Sequence, residues 1–138
     1  MLQWKFQTYV SPTGRNDVQD AIDGYDIYGQ TMFERAVMHL AVSPKKQWDE
    51  PHGKKLKNED PLYEIRYQAF RRQERALGYF DDAAGTFVIL VICNHKDKVY
   101  KPASAFNTAH TRMEQIRSGQ ATTAALQVDG ANFPEDGQ

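Results

Sequence analysis

Cysteine is nearly missing from this chain. Cys93 is the only one, so no intrachain disulfide can support the fold in the way common to small exported domains. Long apolar runs are missing too. The longest, Phe87 to Cys93, is strand-sized, far short of the roughly 18 residues a membrane span requires. The opening residues, MLQWKFQTYV, carry one lysine and no uninterrupted apolar block before a small-residue cleavage site, so they do not read as a secretory signal. A cytoplasmic location with no membrane partner is the expectation. Neither a GxSxG elbow nor a glycine-rich phosphate loop occurs. His39, His52, His95 and His110 are scattered, with no pair at ligand spacing on one element, and Cys93 lies in an apolar run. No metal and no cofactor are expected.

What is present is ordinary for a globular chain: 41% hydrophobic and 25% charged residues over 138 positions. That length suits a single core, which can bury roughly two thirds of the accessible surface. The net charge of −1 is unevenly spread. All 17 Lys and Arg precede residue 120, whereas Asp129, Glu135 and Asp136 lie in the tail. Setting those three aside leaves 15 acids against 17 cations in residues 1–119, a mild basic excess that permits an RNA-facing surface.

Trp4 to Val10 alternates apolar and polar residues, the pattern of a half-buried strand. After the Ser11-Pro12-Thr13-Gly14 break, Val18, Ile22 and Tyr25 share one helical face, with Asn16 placed to cap it. A second stripe, Phe33, Ala36, Val37 and Leu40, marks another helix that ends at Ser43-Pro44, and the two are expected to form a hairpin joined around Gly29. Residues 44–61 are polar and proline-containing, and read as a long surface loop. LYEIRYQ, RRQERALGYF and TFVILVIC then read as an antiparallel meander with turns at Ala69 to Arg72 and Asp81 to Gly85. Phe87 to Ile92, apolar on both faces, should be the central strand. Pro102 opens a last helix in which Phe106, Ala109, Met113 and Ile116 keep helical spacing up to Gly119. From Gln120 onward no period is sustained, and 120–138 is expected to be a flexible tail that adds little to the core. The fold class is therefore α+β: a helical hairpin packed on a small, mainly antiparallel sheet with a C-terminal helix.

Strand geometry singles out two arginines. A turn on Ala69 to Arg72 pairs residues whose numbers sum to 141, which sets Arg66 directly opposite Arg75. Like charges so placed destabilise a sheet unless an anion sits between them or carboxylates relieve them. Both solutions fit: a phosphate held by the pair, or structural pairing with Glu64 and Glu74. A second group, Asn94 to Pro102, follows the central strand. His95, Lys96, Lys98, Tyr100 and Lys101 supply one group that titrates near neutrality, three fixed cations and a phenol. RNA cleavage needs those parts, because a 2′-hydroxyl must lose a proton, the phosphorane gathers negative charge and the leaving 5′-oxygen must gain a proton. Trp4 and Trp48 fit core or loop-anchoring positions better than base-stacking ones.

These elements and motifs resemble the RelE/ParE toxin superfamily, in particular its phage-derived, HigB-like branch. LYEIR (Leu62 to Arg66) is similar to that branch's Leu-Tyr-Glu-Leu-Arg strand, ERALGYF supplies Arg75 at the second arginine position, and FVILVIC matches its apolar strand. Lys96, Lys98, Lys101 and Pro102 echo its basic turn. Asn94 stands where the branch has an aromatic, and Asp97 separates Lys96 from Lys98. The resemblance implies a RelE-like domain over residues 1–119 and a type II toxin that cuts mRNA on the ribosome. It also implies restraint by a cognate antitoxin, expected to be a helix-turn-helix protein. On this reading Arg66 and Arg75 hold phosphate, His95 or Tyr100 transfers protons, and Lys96, Lys98 and Lys101 contact RNA. Two alternatives stay open on the same fold: a non-catalytic, phage-derived inhibitor, for example one directed at gyrase, and an inactive toxin relative.

Overall fold

Alternation in the first segment does produce a strand, β1 (Lys5–Val10), but one buried on both faces: Phe6 enters the core on one side and Tyr9 on the other. The computed structural model describes residues 2–128. Helix α1 (Asp17–Asp23) follows, and the Asn16 side chain accepts from the Gln19 N–H at 3.0 Å, the expected cap. Helix α2 (Ile27–Ala41) is capped by Asp26, and its Phe33, Ala36, Val37 and Leu40 stripe is wholly buried. Gly29 is not the joint between them. It lies in the first turn of α2, where a Cβ would stand 2.8 Å from the Ala69 Cβ; the glycine lets the helix approach the sheet closely. The two helices are joined through Gly24 to Asp26 instead.

The polar stretch 44–61 is more than a surface loop. It makes a single 3₁₀ turn at Lys45–Gln47 and the edge strand β2 (Gly53–Lys55). It also inserts Trp48, 2% exposed, between Phe80 and Phe87 with ring centroids 4.6 Å from each. The Trp48 and Trp4 indoles both donate to the Ser43 carbonyl, so both tryptophans serve the core.

The meander follows as read: β3 (Tyr63–Ala69), β4 (Arg72–Asp81) and β5 (Thr86–Lys96). Phe70 and Arg71 turn the first hairpin with φ of 53° and 59°, the left-handed pair a two-residue turn requires. A bulge between Leu77 and Gly78 shifts the β4–β5 register. There a Cβ on Gly78 would sit 2.1 Å from the Val88 carbonyl. A further short strand, β6 (Val99–Lys101), folds back on β5 around Asp97 and Lys98, whose φ values are 53° and 67°. Helix α3 (Ala105–Arg117) starts three residues past Pro102.

The last described element corrects the expected tail. Residues Thr122–Ala125 form β7, antiparallel to β1, with Val10 opposite Thr122 and Gln7 opposite Ala125. Leu126 is 7% exposed and joins the core of α1 and α2, with Val128 against it. Phe133 and the three tail acids lie outside the described residues. Among the described residues the fold is a mixed α+β arrangement of three helices and a seven-stranded, mostly antiparallel open sheet, ordered β2-β3-β4-β5-β1-β7 with β6 on β5. The exception is β1, which runs parallel to β5. One core packs α1 and α2 on one face of the sheet, and a second packs α3 on the other. No helix among the described residues is long and apolar enough to cross a membrane.

A prediction follows for β7. Leu126→Ala should cost about 2 kcal/mol, near the low end for a buried leucine, and lower the melting temperature by roughly 8 °C for a domain of this size. Truncation after Gly119 should cost more, because it also strips β1 of its outer partner. Thermal denaturation checks both; an unchanged midpoint for the truncated chain would show β7 to be energetically idle.

Candidate active site

The hairpin turn at Phe70-Arg71 sets the register of β3 on β4, and Arg66 pairs with Arg75 as the numbering requires. The same register continues across the sheet. Arg75 lies opposite Cys93, Gln73 opposite His95, and His95 opposite Tyr100 of β6. Side chains alternate along each strand, so Arg66, Arg75, His95 and Tyr100 all emerge on the face that carries α3. The His95 and Tyr100 rings are 4.7 Å apart, and Phe106 from the first turn of α3 packs 4.7 Å from Tyr100.

Glu64 holds this group together. It is 0% exposed, and its Oε2 accepts from Arg66 Nε at 2.5 Å and lies 3.6 Å from Arg75 Nε. Its other oxygen accepts from the Tyr100 hydroxyl at 2.5 Å. Glu50, exposed on the segment before β2, takes a second ion pair from Arg66. The repulsion expected between opposed arginines is therefore relieved by carboxylates, as one of the two readings had it, but by Glu64 and Glu50. The Glu74 side chain does not share this task. It projects to the other face, where Tyr25 donates to it at 2.8 Å and Tyr67 hydrogen-bonds Tyr25; only the Glu74 backbone carbonyl meets Arg75, at 2.9 Å.

Electrostatics separates the two proton-transfer candidates. Burial, and then the nearby Arg75 charge, push His95 below its ordinary value, so the imidazole is neutral at pH 7 and free to accept a proton. Burial and the hydrogen bond to Glu64 push the Tyr100 phenol up, so it keeps its proton. The Cys93 thiol is pushed up to about 12 by burial, which leaves it no use as a nucleophile.

The three lysines are placed differently. Lys96 and Lys101 alternate with His95 and Tyr100 on their strands and so face the opposite side of the β5–β6 hairpin, while Lys98 sits in its turn; all three are exposed. Four of the seven residues read from sequence meet at one place, and the lysines lie around the tip beside it. Sequence reasoning treated Glu64 as one possible neutraliser and missed its bond to Tyr100. No spacing signal announces that bond, because it depends on a three-residue strand. Among the described residues no group of three or more His, Cys, Asp or Glu could hold a metal. No protein-family model, curated protein or solved structure matches this chain.

Proposed function

We propose that this chain is an mRNA endoribonuclease of the type II toxin class, cleaving by attack of the ribose 2′-hydroxyl on its own 3′-phosphate. The observation that carries the reading is the meeting of Arg66, Arg75, His95 and Tyr100 on one face around the buried Glu64. His95 takes the 2′-hydroxyl proton as the new O–P bond forms. The charge that collects on the phosphorane faces Arg75 and Arg66. The bond to the 5′-oxygen breaks as the Tyr100 hydroxyl turns from Glu64 and supplies its proton, giving a 2′,3′-cyclic phosphate and a 5′-hydroxyl, and solvent returns the proton from His95 to Tyr100. Side chains supply every part of this step.

The resemblance of LYEIR and the basic turn to the HigB-like branch of the RelE/ParE superfamily supports the same reading and extends it. It proposes a RelE-like arrangement of the helices, mRNA on the ribosome as substrate and a helix-turn-helix antitoxin as partner. Lys96, Lys98 and Lys101 then contact ribosomal or messenger RNA from the hairpin tip. A second reading is favoured by one observation: both arginines already have carboxylate partners. A protein that only binds and inhibits a target, such as gyrase, would use them so.

Expression without the antitoxin should arrest growth and yield message cuts only where translation proceeds. Cleavage by the wild type should rise with pH through a midpoint below the ordinary histidine value and then level off, since the base is the neutral imidazole. His95→Gln should lower the rate about 100-fold and remove that acid limb. A limb that survives in His95→Gln assigns the proton transfer elsewhere.

A further inference from the structure

Past Arg66 the edge of the sheet is open. β2 pairs with β3 only up to Ile65, and one more backbone bond runs from the Arg66 N–H to the His52 carbonyl at 2.8 Å. Beyond it lies a cavity of about 490 Å³, walled by α2, by Glu50 to His52 of the segment before β2, and by the ends of β3 and β4. That volume falls within the usual range of small-ligand pockets.

Three features of the wall point to a ligand. Arg75 lines it while only 6% exposed, and its Nε, 3.6 Å from Glu64 Oε2, has an ion pair there but no hydrogen bond. A buried cationic donor left in that state is costly unless an acceptor joins it. Arg35, exposed on α2, is the one arginine of the wall with no carboxylate partner among the described residues; Arg66 has both Glu64 and Glu50. Gln68 and Gln73 face each other across β3 and β4 and offer side-chain amides, the groups that pair with the edges of bases.

The cavity is also continuous with the proposed chemistry. Gln73 lies opposite His95 and His95 opposite Tyr100, so Gln68, Gln73, His95 and Tyr100 form one row across four strands. Adjacent members stand about 4.8 Å apart. We infer that the cavity receives the nucleotide next to the scissile phosphate of single-stranded RNA, with Arg35 and Arg75 on its phosphate and the Gln68–Gln73 amides at its base. This rests on the ribonuclease reading above. A free phosphate would leave most of the volume and both amides unused, which favours a whole nucleotide.

The test uses the full chain and a short, fluorescently labelled 2′-O-methyl oligoribonucleotide, which cannot be cut, titrated at several salt concentrations. Arg35→Ala should weaken binding about fivefold to tenfold and flatten the slope of log affinity against log salt by about 0.7, the loss of one phosphate contact to a single strand. Lys46→Ala, which removes an exposed cation elsewhere, should leave the slope unchanged. Gln73→Ala should alter the preference among homopolymers while keeping the slope. An unaltered slope in Arg35→Ala overturns the inference, as does a wild type that ignores the oligonucleotide and binds a polyglutamate peptide through Arg35. Binding that behaves as expected in a protein that leaves translated messages uncut would sink the nuclease reading and keep the cavity as an RNA site. Cutting without Arg35-dependent binding would do the reverse.

Discussion

Replacing Glu64 by alanine should destabilise the protein by about 3–5 kcal/mol, the loss expected when a buried charge pair is broken from one side. The reason lies in what remains. Arg75 is 94% buried by its 6% exposure and would keep only the Glu74 carbonyl; the Tyr100 hydroxyl would lose its acceptor, and the opposed Arg66 would no longer be neutralised from below. Urea denaturation measures the loss as a lower midpoint at constant slope. The double variant Glu64→Ala with Arg75→Leu should be more stable than the sum of the two single changes, by roughly 1–3 kcal/mol, because it removes both charges at once. A loss below about 1 kcal/mol for Glu64→Ala, in the range of an exposed ion pair, would show that Glu64 does not hold the site together.

Arg75 should dominate the chemistry. If the phosphorane charge collects against its guanidinium, Arg75→Ala should reduce cleavage about 100- to 1000-fold, the effect of removing one preorganised donor from a developing oxyanion. Because Arg75 is buried, its alanine variant also loses stability, and folding must be measured beside activity. Arg75→Lys separates the two effects. It keeps the positive charge next to Glu64 but loses the planar fork, so the fold should survive while cleavage still falls at least tenfold. Equal cleavage by wild type and Arg75→Lys, with both fully folded, would remove Arg75 from the reaction.

Much of the sheet was legible because long strands carry their own period. The 141 register follows from the position of the turn between two strand-like runs, centred on Phe70-Arg71, and it sets Arg66 opposite Arg75. The Phe33 to Leu40 stripe and the Asn16 cap were equally plain. The edge elements were not. β2, β6 and β7 have three or four residues each, too few to show alternation, and their pairing is set by the partner strand. Gly29 looked like a joint because glycine usually breaks a helical pattern, yet here it answers a contact with Ala69 some 40 positions away in sequence. The burial of Glu64 and Arg75 was hidden for the same kind of reason. It depends on tertiary contacts, among them the Tyr100 hydroxyl of β6 reaching Glu64 of β3, that no local window contains.

Primer extension on a message translated with the purified protein, comparing wild type with Arg75→Lys, tests the central claim most directly. The account predicts cuts that require translation, 5′-hydroxyl ends left by 2′-hydroxyl attack, and a marked drop in Arg75→Lys with little change in its melting temperature. Growth arrest by a wild type that leaves every translated message intact would contradict it and assign the protein to inhibition by binding.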